Sequence, residues 1–201
     1  MYDNNPNTTN SLLISSLYGQ LETVKHIINN ANFELDINNQ TDISLMNPLI
    51  AAAQNGHLDI VRYLLTSSDL KNKPNINSKD IDGWDSLIYA CRYGHLEIVK
   101  YLLTSPDIKE HSNLYIQHKK YHNILILSTH FKHYNIVDFL IIDMKIKIDD
   151  KTFAWLNGKN KNKIVYEDIL KLIQYRDLYQ KLDNSIDSEN INKKKITGIK
   201  I

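Results

Sequence analysis

One segment of the chain carries apolar residues at the spacing of a helix. Leu58, Val61 and Leu65 lie three and four residues apart, and polar residues fall between them. Ile60 and Leu64 lie four apart and broaden the same side. This spacing places the apolar side chains on one stripe of an α-helix. The pattern therefore predicts an amphipathic helix that must bury one face.

The segment containing this stripe occurs twice. The stretch NGHLDIVRYLLTSSDL begins at Asn55, and YGHLEIVKYLLTSPDI begins 38 residues later at Tyr93. Weaker copies keep the same frame on either side, with Gly19 before Gly56 and Lys132 at the position of the glycine in the fourth copy. A fixed period of this size indicates a repeat architecture, which here has four copies.

A second, shorter helix precedes the stripe in each copy. In the second copy it is predicted to begin at Asn47-Pro48, an N-cap followed by a proline at the first helical position. Asn10, Asp85 and Asn123 occupy the same position in the other copies, and each can accept a capping hydrogen bond.

Pairs of small residues follow each cap at a constant distance, which lets neighbouring helices approach closely. These pairs are Ser15-Ser16, Ala52-Ala53, Ala90-Cys91 and Ser128-Thr129. A glycine then ends the first helix in three copies, since glycine readily takes the left-handed conformation. Neither helix can bury its stripe alone, so we expect the copies to stack into a continuous core.

The motifs of the two middle copies resemble the ankyrin repeat. In the second copy they are Asn47-Pro48-Leu49-Ile50, Ala52-Ala53, Gly56-His57 and Leu64-Leu65; in the third they are Asp85-Ser86-Leu87-Ile88, Ala90-Cys91, Gly94-His95 and Leu102-Leu103. The resemblance implies an all-α fold, an ankyrin-repeat α-solenoid of helix-turn-helix repeats with short β-hairpin loops. Asp80-Ile81-Asp82-Gly83 is similar to the family's hairpin turn, and Trp84 follows it.

The unit departs from the family in length. An ankyrin unit usually has about 33 residues, and the additional residues here fall around 67–73 and 105–110. Long-period units in a chain rich in Asn, Ile and Lys resemble the ankyrin proteins of giant amoebal DNA viruses.

The pattern divides the chain into four parts. Residues 10–145 form four repeats, at about 10–40, 42–79, 80–117 and 118–148. Residues 149–183 are expected to be a degenerate helical cap, with helical stretches at 152–156 and 164–182, because arrays need to close their exposed end. Residues 1–9 and the lysine-rich tail 184–201 are expected to be disordered.

Composition narrows the function classes. Lys and Arg number 24 against 23 Asp and Glu, so no global field favours nucleic acid or an anionic membrane. The single cysteine excludes an internal disulfide framework and fits a reducing compartment. We see no signal peptide and no apolar segment of membrane-spanning length. A soluble, intracellular and cytoplasmic protein is expected, in the host cell if the source is viral.

Candidate chemistry is sparse. Five of the eight histidines lie between His111 and His133, and spacings of three and four residues there would suit zinc on a helix. The repeat frame instead places His118 and His122 on a hairpin and His133 at an ordinary repeat position. Cys91 stands where the previous copy has Ala53, so it is expected to be a small buried residue. We therefore predict no catalytic residue, no metal and no cofactor.

The remaining candidate is a binding surface. In ankyrin proteins, partners usually bind the concave side, which is formed by the exposed face of each first helix and by the hairpin tips. The resemblance implies that the same surfaces bind a partner here. The predicted partner-binding residues are Gln54, Asn55, Trp84, Tyr89, Arg92, Tyr93, Leu127, His130 and Phe131. Tyr, Trp and Arg are enriched at binding hot spots.

The function expected from the sequence is a non-catalytic protein–protein interaction module, a monomeric scaffold for an unidentified protein partner, with no nucleic acid and no membrane. One alternative is an adaptor that recruits degradation machinery through the C-terminal segment. A metal-dependent activity at the His111–His133 cluster is a further alternative.

Overall fold

A computed structural model describes residues 6–30, 37–38, 45–108, 111–112, 123–146, 148–152, 154, 167, 169–175, 177–178 and 181. The chain divides into two compact units, residues 1–136 and 137–201. Within the described ranges the regular structure is helical and contains no strand, as the predicted all-α repeat fold requires.

Helices occur in pairs, one pair to each copy. In chain order they are α1 (Pro6–Leu17), α2 (Leu21–Asn30), α3 (Pro48–Gln54), α4 (Leu58–Thr66), α5 (Ser86–Tyr93), α6 (Leu96–Thr104), α7 (Ile124–His130) and α8 (Tyr134–Asp138). A π-helical turn, Phe139–Asp143, continues α8.

The first helices and the second helices form two layers of the first unit. Helix α3 packs against α1 and α5, and α5 packs against α7. Helix α4 packs against α2 and α6 in the other layer. The small pairs lie in the first layer and are buried in all four copies, which allows these helices to pack closely.

In α4 the buried residues are Ile60, Val61 and Leu64, so the apolar stripe is centred slightly away from Leu58 and Leu65.

The first helices begin at the predicted caps in three copies. Oδ1 of Asn47, Asp85 and Asn123 accepts a hydrogen bond of 2.9 Å from the backbone N–H three residues later. The prediction for the first copy is wrong, because α1 begins at Pro6 and Asn10 lies inside it. Residues 6–9, assigned from the sequence to a disordered segment, are therefore helical.

The position after the first helix is left-handed in every copy. Gly19, Gly56 and Gly94 have φ between 72° and 82°, and Lys132 has φ 64° at the equivalent place. The backbone geometry is therefore common to the four copies, although only three of them use glycine.

The predicted hairpin loop is only partly present. The Asp80 N–H donates to the Trp84 carbonyl at 2.9 Å, and the Gly83 N–H donates to the Asp80 carbonyl at 3.0 Å. These bonds close a tight turn at Gly83, whose φ is 79°. No strand flanks this turn in the described part of the chain.

In the second unit, residues 150–152 and 169–175 are helical. The rest of the predicted helices 152–156 and 164–182 lies largely outside the described residues, as do residues 1–5, the hairpin at 118–122 and the tail 184–201. Among the described residues, no helix is long and apolar enough to cross a membrane.

Candidate interaction surface

Arg92 lies at the end of α5 among three aromatic rings. Its guanidinium carbon is 4.5 Å from the ring centroid of Trp84, 5.2 Å from that of Phe131 and 5.6 Å from that of Tyr93. A guanidinium over a ring face is attracted by the ring's quadrupole. Because Phe131 belongs to the next copy, the arginine joins two repeats. We call Trp84, Tyr89, Arg92, Tyr93 and Phe131 the arginine–aromatic cluster.

A buried aspartate holds the base of this cluster. Oδ1 of Asp80 accepts from the Asp82 N–H at 3.0 Å and the Trp84 N–H at 2.8 Å. Oδ2 of Asp80 accepts from the Tyr89 hydroxyl at 2.6 Å. Burial, and then this hydrogen bond, raise the pKa of Tyr89 above its ordinary value. One carboxylate thus fixes both the turn that carries Trp84 and the tyrosine beneath it.

The tyrosines connect the buried base to the surface. The rings of Tyr89 and Tyr93 are nearly parallel, 6.3 Å apart, and the Trp84 ring lies 5.4 Å from that of Tyr89. Tyr89 and Trp84 are buried, whereas Tyr93 is 45% exposed and Arg92 is partly exposed. The accessible part of the cluster therefore consists mainly of Tyr93 and Arg92.

Three of the predicted contact residues are buried. Leu127, on α7, has no exposed surface and belongs to the buried core, so its prediction as a partner contact is wrong. Trp84 at 6% and Tyr89 at 9% exposure support the surface from below and present little of it. The repeat register gave their position along the helix, but the packing of the neighbouring copy decides their exposure.

The other predicted residues are accessible in different degrees. Phe131 is partly exposed and His130 is exposed, and their rings meet edge to face at 5.0 Å. Asn55 is exposed, but its Nδ2 donates to the Ala51 carbonyl at 3.0 Å, so this side chain is already bonded to the last turn of α3. Gln54 is partly exposed. The backbone carbonyl of Gln54 accepts a hydrogen bond from His95. The His95 ring lies 6.4 Å from the Tyr93 ring.

The sequence did not reveal how the copies interlock. Nε2 of His57, His95 and His133 lies 3.1, 3.0 and 2.7 Å from the carbonyls of Leu17, Gln54 and Arg92 respectively. Since a carbonyl only accepts, Nε2 carries the hydrogen in each ring. Each histidine also covers the glycine of the preceding copy. A Cβ added to Gly19, Gly56 or Gly94 would lie 2.5–2.8 Å from ring atoms.

This interlock explains why the glycine and histidine recur together. The two residues are adjacent in sequence, but each histidine packs on the glycine of the copy before its own. The recurring pair GH was visible in the sequence; its pairing across copies follows only from stacking.

The histidines near the fourth copy have separate environments. His111 Nε2 lies 3.0 Å from the Ser105 carbonyl. His133 Nε2 bonds the Arg92 backbone carbonyl. His118 and His122 lie outside the described residues. Within the part of the chain that the structure covers, no group of three or more His, Cys, Asp or Glu residues is placed to hold a metal ion.

Two further buried titratable groups, besides Tyr89, lie at α5. Burial raises the pKa of the Cys91 thiol to about 12, so the thiolate that a nucleophile needs is not formed at neutral pH. Burial also raises the pKa of Asp85 to about 6, although its hydrogen bonds to backbone N–H groups oppose the shift. Cys91 is wholly buried and behaves as the small core residue that the repeat register predicted.

A recess of about 440 Å³ is lined by residues 65–66, 73–76 and 107–108. Leu65, Pro74, Ile76 and Ile108 contribute apolar lining, and Lys73, Asn75 and Asp107 contribute polar lining. Lys73 Nζ donates to the Ser67 carbonyl, within the same loop. The recess is thus formed by the last residues of α4 together with the loops that follow α4 and α6.

Comparison with known proteins supports the repeat interpretation. The family profile described as ankyrin repeats (3 copies) matches residues 12–113 and 70–152. A comparison with curated proteins gives no significant match.

Proposed function

Since the chain belongs to the ankyrin-repeat family, we propose that it is a non-catalytic interaction module whose protein partner contacts the exposed part of the arginine–aromatic cluster. Ankyrin repeats generally serve as protein–protein interaction modules. The proposal places the contact on the end of α5, where Tyr93 and Arg92 are accessible, and on the neighbouring end of α7, where the exposed His130 lies beside the cluster.

The position of Arg92 among three rings carries this proposal. Tyr, Trp and Arg dominate binding hot spots, where they are packed against supporting residues. Asp80 and Tyr89 supply that support from below. Because the side chains are held before a partner arrives, little rotamer entropy is lost on association.

A binding role also fits the remaining chemistry of α5. The only cysteine is buried, and its raised pKa keeps it protonated at neutral pH. The repeat histidines donate to backbone carbonyls and bridge the copies. These groups have structural partners that account for their positions.

The test is capture of a partner from a cell lysate by the wild-type chain and by an Arg92→Ala/Tyr93→Ala variant. Arg62→Ala is the matched control, because Arg62 lies 5.2 Å from the Tyr101 ring on the layer of second helices. We expect the partner to be retained by the wild type and the control and lost by the double variant. Equal retention by all three would contradict the proposed surface.

Three finer proposals go beyond the family: the composition and the long period support the first, and the single cysteine fits a reducing location inside the cell. We place the chain with the long-period ankyrin proteins of giant amoebal DNA viruses, and we propose that it acts as a monomer inside the cell. Sedimentation velocity of the purified chain tests the monomer, and fractionation of cells expressing a tagged chain tests the location.

A further inference from the structure

We propose that the Arg92 guanidinium recognises a carboxylate, the side chain of an Asp or Glu residue in the partner. This inference rests on the proposed function, since it assumes that a protein binds at the arginine–aromatic cluster. It adds to that function the chemical group of the partner that Arg92 contacts.

Within the described residues, the Arg92 guanidinium donates no hydrogen bond, although the backbone carbonyl of Arg92 accepts from His133. Arginine carries five N–H donors in a planar fork. The ion pairs in the described chain are Lys25–Glu22 and Lys100–Glu97, and none of its side-chain hydrogen bonds uses the Arg92 guanidinium. Among the described residues, the interactions of the guanidinium are those with the three rings. Ring faces attract the positive charge, but they do not replace the oxygen acceptors that the fork prefers.

The rings also restrict the guanidinium. Contacts at 4.5, 5.2 and 5.6 Å come from residues of two different copies. A surface arginine normally loses much rotamer freedom when it binds, and this one has lost part of it already. A fixed fork with free donors suits a planar, bidentate acceptor, which is the geometry of a carboxylate.

Nearby charges favour a carboxylate over a phosphate. The Asp80 carboxylate accepts from the Tyr89 hydroxyl at 2.6 Å and from the Asp82 N–H at 3.0 Å, so two acidic residues lie beside the cluster, and their charges contribute to the raised pKa of Tyr89. The second charge of a phosphate group would add attraction to one guanidinium but repulsion from two carboxylates, whereas a carboxylate carries only one charge. The exposed Tyr93 ring would cover an apolar neighbour of the acidic residue.

The experiment is selection of a random peptide library displayed on phage against the full chain. Wild type, Arg92→Gln, Arg92→Lys and the control Arg62→Gln are compared, after thermal unfolding shows that each is folded. We expect wild type and control to enrich Asp or Glu at one position, and both Arg92 variants to lose that preference. Lysine keeps the charge without the fork.

The selected peptide then gives a quantitative check. Replacing its acidic residue with Gln or Asn should weaken binding to the wild type about 10- to 100-fold, as expected for a charge-assisted hydrogen bond. The same replacement should change binding to Arg92→Gln by less than about threefold. These four affinities form a double-mutant cycle, which isolates the interaction free energy between Arg92 and the acidic residue of the peptide.

Other outcomes overturn the inference in distinguishable ways. Neutral peptides whose binding depends on Tyr93 would refute the carboxylate and leave the proposed surface intact. Tighter binding when phosphoserine replaces the acidic residue would assign the site to phosphate. Peptides indifferent to both Arg92 and Tyr93, or no enrichment on the wild type, would count against the inference and the proposed function together.

Discussion

Replacing Gly56 with alanine should destabilise the protein far more than the same replacement at Gly83. Both glycines are left-handed, with φ of 81° and 79°, so alanine meets the same backbone strain at both. The Cβ at Gly83 would have no heavy atom within 4 Å, whereas the Cβ at Gly56 would lie 2.8 Å from Cε1 and Nδ1 of His95. Gly83 is therefore a matched control for the steric part.

The magnitudes follow from these surroundings. A left-handed alanine costs about 1–2 kcal/mol, partly offset by about 0.4–1 kcal/mol from the lower entropy of the unfolded chain. We expect Gly83→Ala to lower the free energy of unfolding by about 1 kcal/mol. At Gly56 the imidazole must also move and lose its bond to Gln54. Overpacking of about 1–3 kcal/mol and a hydrogen bond of about 1 kcal/mol raise the total to about 3–5 kcal/mol.

Urea unfolding followed by far-ultraviolet circular dichroism measures both changes. A His95→Ala background supplies the decisive comparison, because it removes the ring that Cβ would meet. In that background Gly56→Ala should cost only about as much as Gly83→Ala does, about 1 kcal/mol. Equal costs at the two glycines in the wild type would refute the interlock. So would a large cost at Gly56 that persists without the His95 ring.

Three further predictions concern single residues. Asp85→Asn keeps the cap acceptor and removes the buried carboxylate, whose pKa rises in the fold from its ordinary 3.8 to about 6. The stability that Asp85 contributes below pH 3.8 is therefore lost as the pH rises through 6. In urea unfolding, the variant should be more stable than the wild type by up to about 3 kcal/mol at pH 7.5 and by little at pH 4. A wild type that is more stable than the variant at pH 7.5 would contradict this. Cys91 should react with a thiol reagent at pH 8 only as the chain unfolds in urea, and rapid labelling of the native chain would refute its burial. Lys132→Gly should raise the thermal midpoint, with a gain of about 0.5–1 kcal/mol, because φ is 64° there; an unchanged or lower midpoint would show that the strain is absent.

Much of the fold follows from local patterns. The caps at Asn47, Asp85 and Asn123 were predictable because one side chain bonds a backbone group three residues away. The helical stripes were predictable because period alone decides which side is apolar. The start of α1 was not, since Asn10 can cap only where the chain before it leaves the helix, and α1 continues back to Pro6.

The candidate site was predictable as a set of positions but not as a surface. The repeat register placed Arg92, Tyr93 and Phe131 at equivalent ends of first helices. It could not distinguish Tyr93, which is 45% exposed, from Leu127, which has no exposed surface. Exposure depends on what the neighbouring copy places against each side chain, and no local pattern contains that information.

The sequence by itself determined the repeat, the helix pairs and the caps of three copies, because each depends on residues within one copy. The tertiary structure alone decided the pairings across copies. His95 packs on Gly56, and Arg92 lies between Trp84 of its own copy and Phe131 of the next. Such contacts join residues about 40 positions apart, and only the stacking of the helix pairs brings them within a few ångströms of each other.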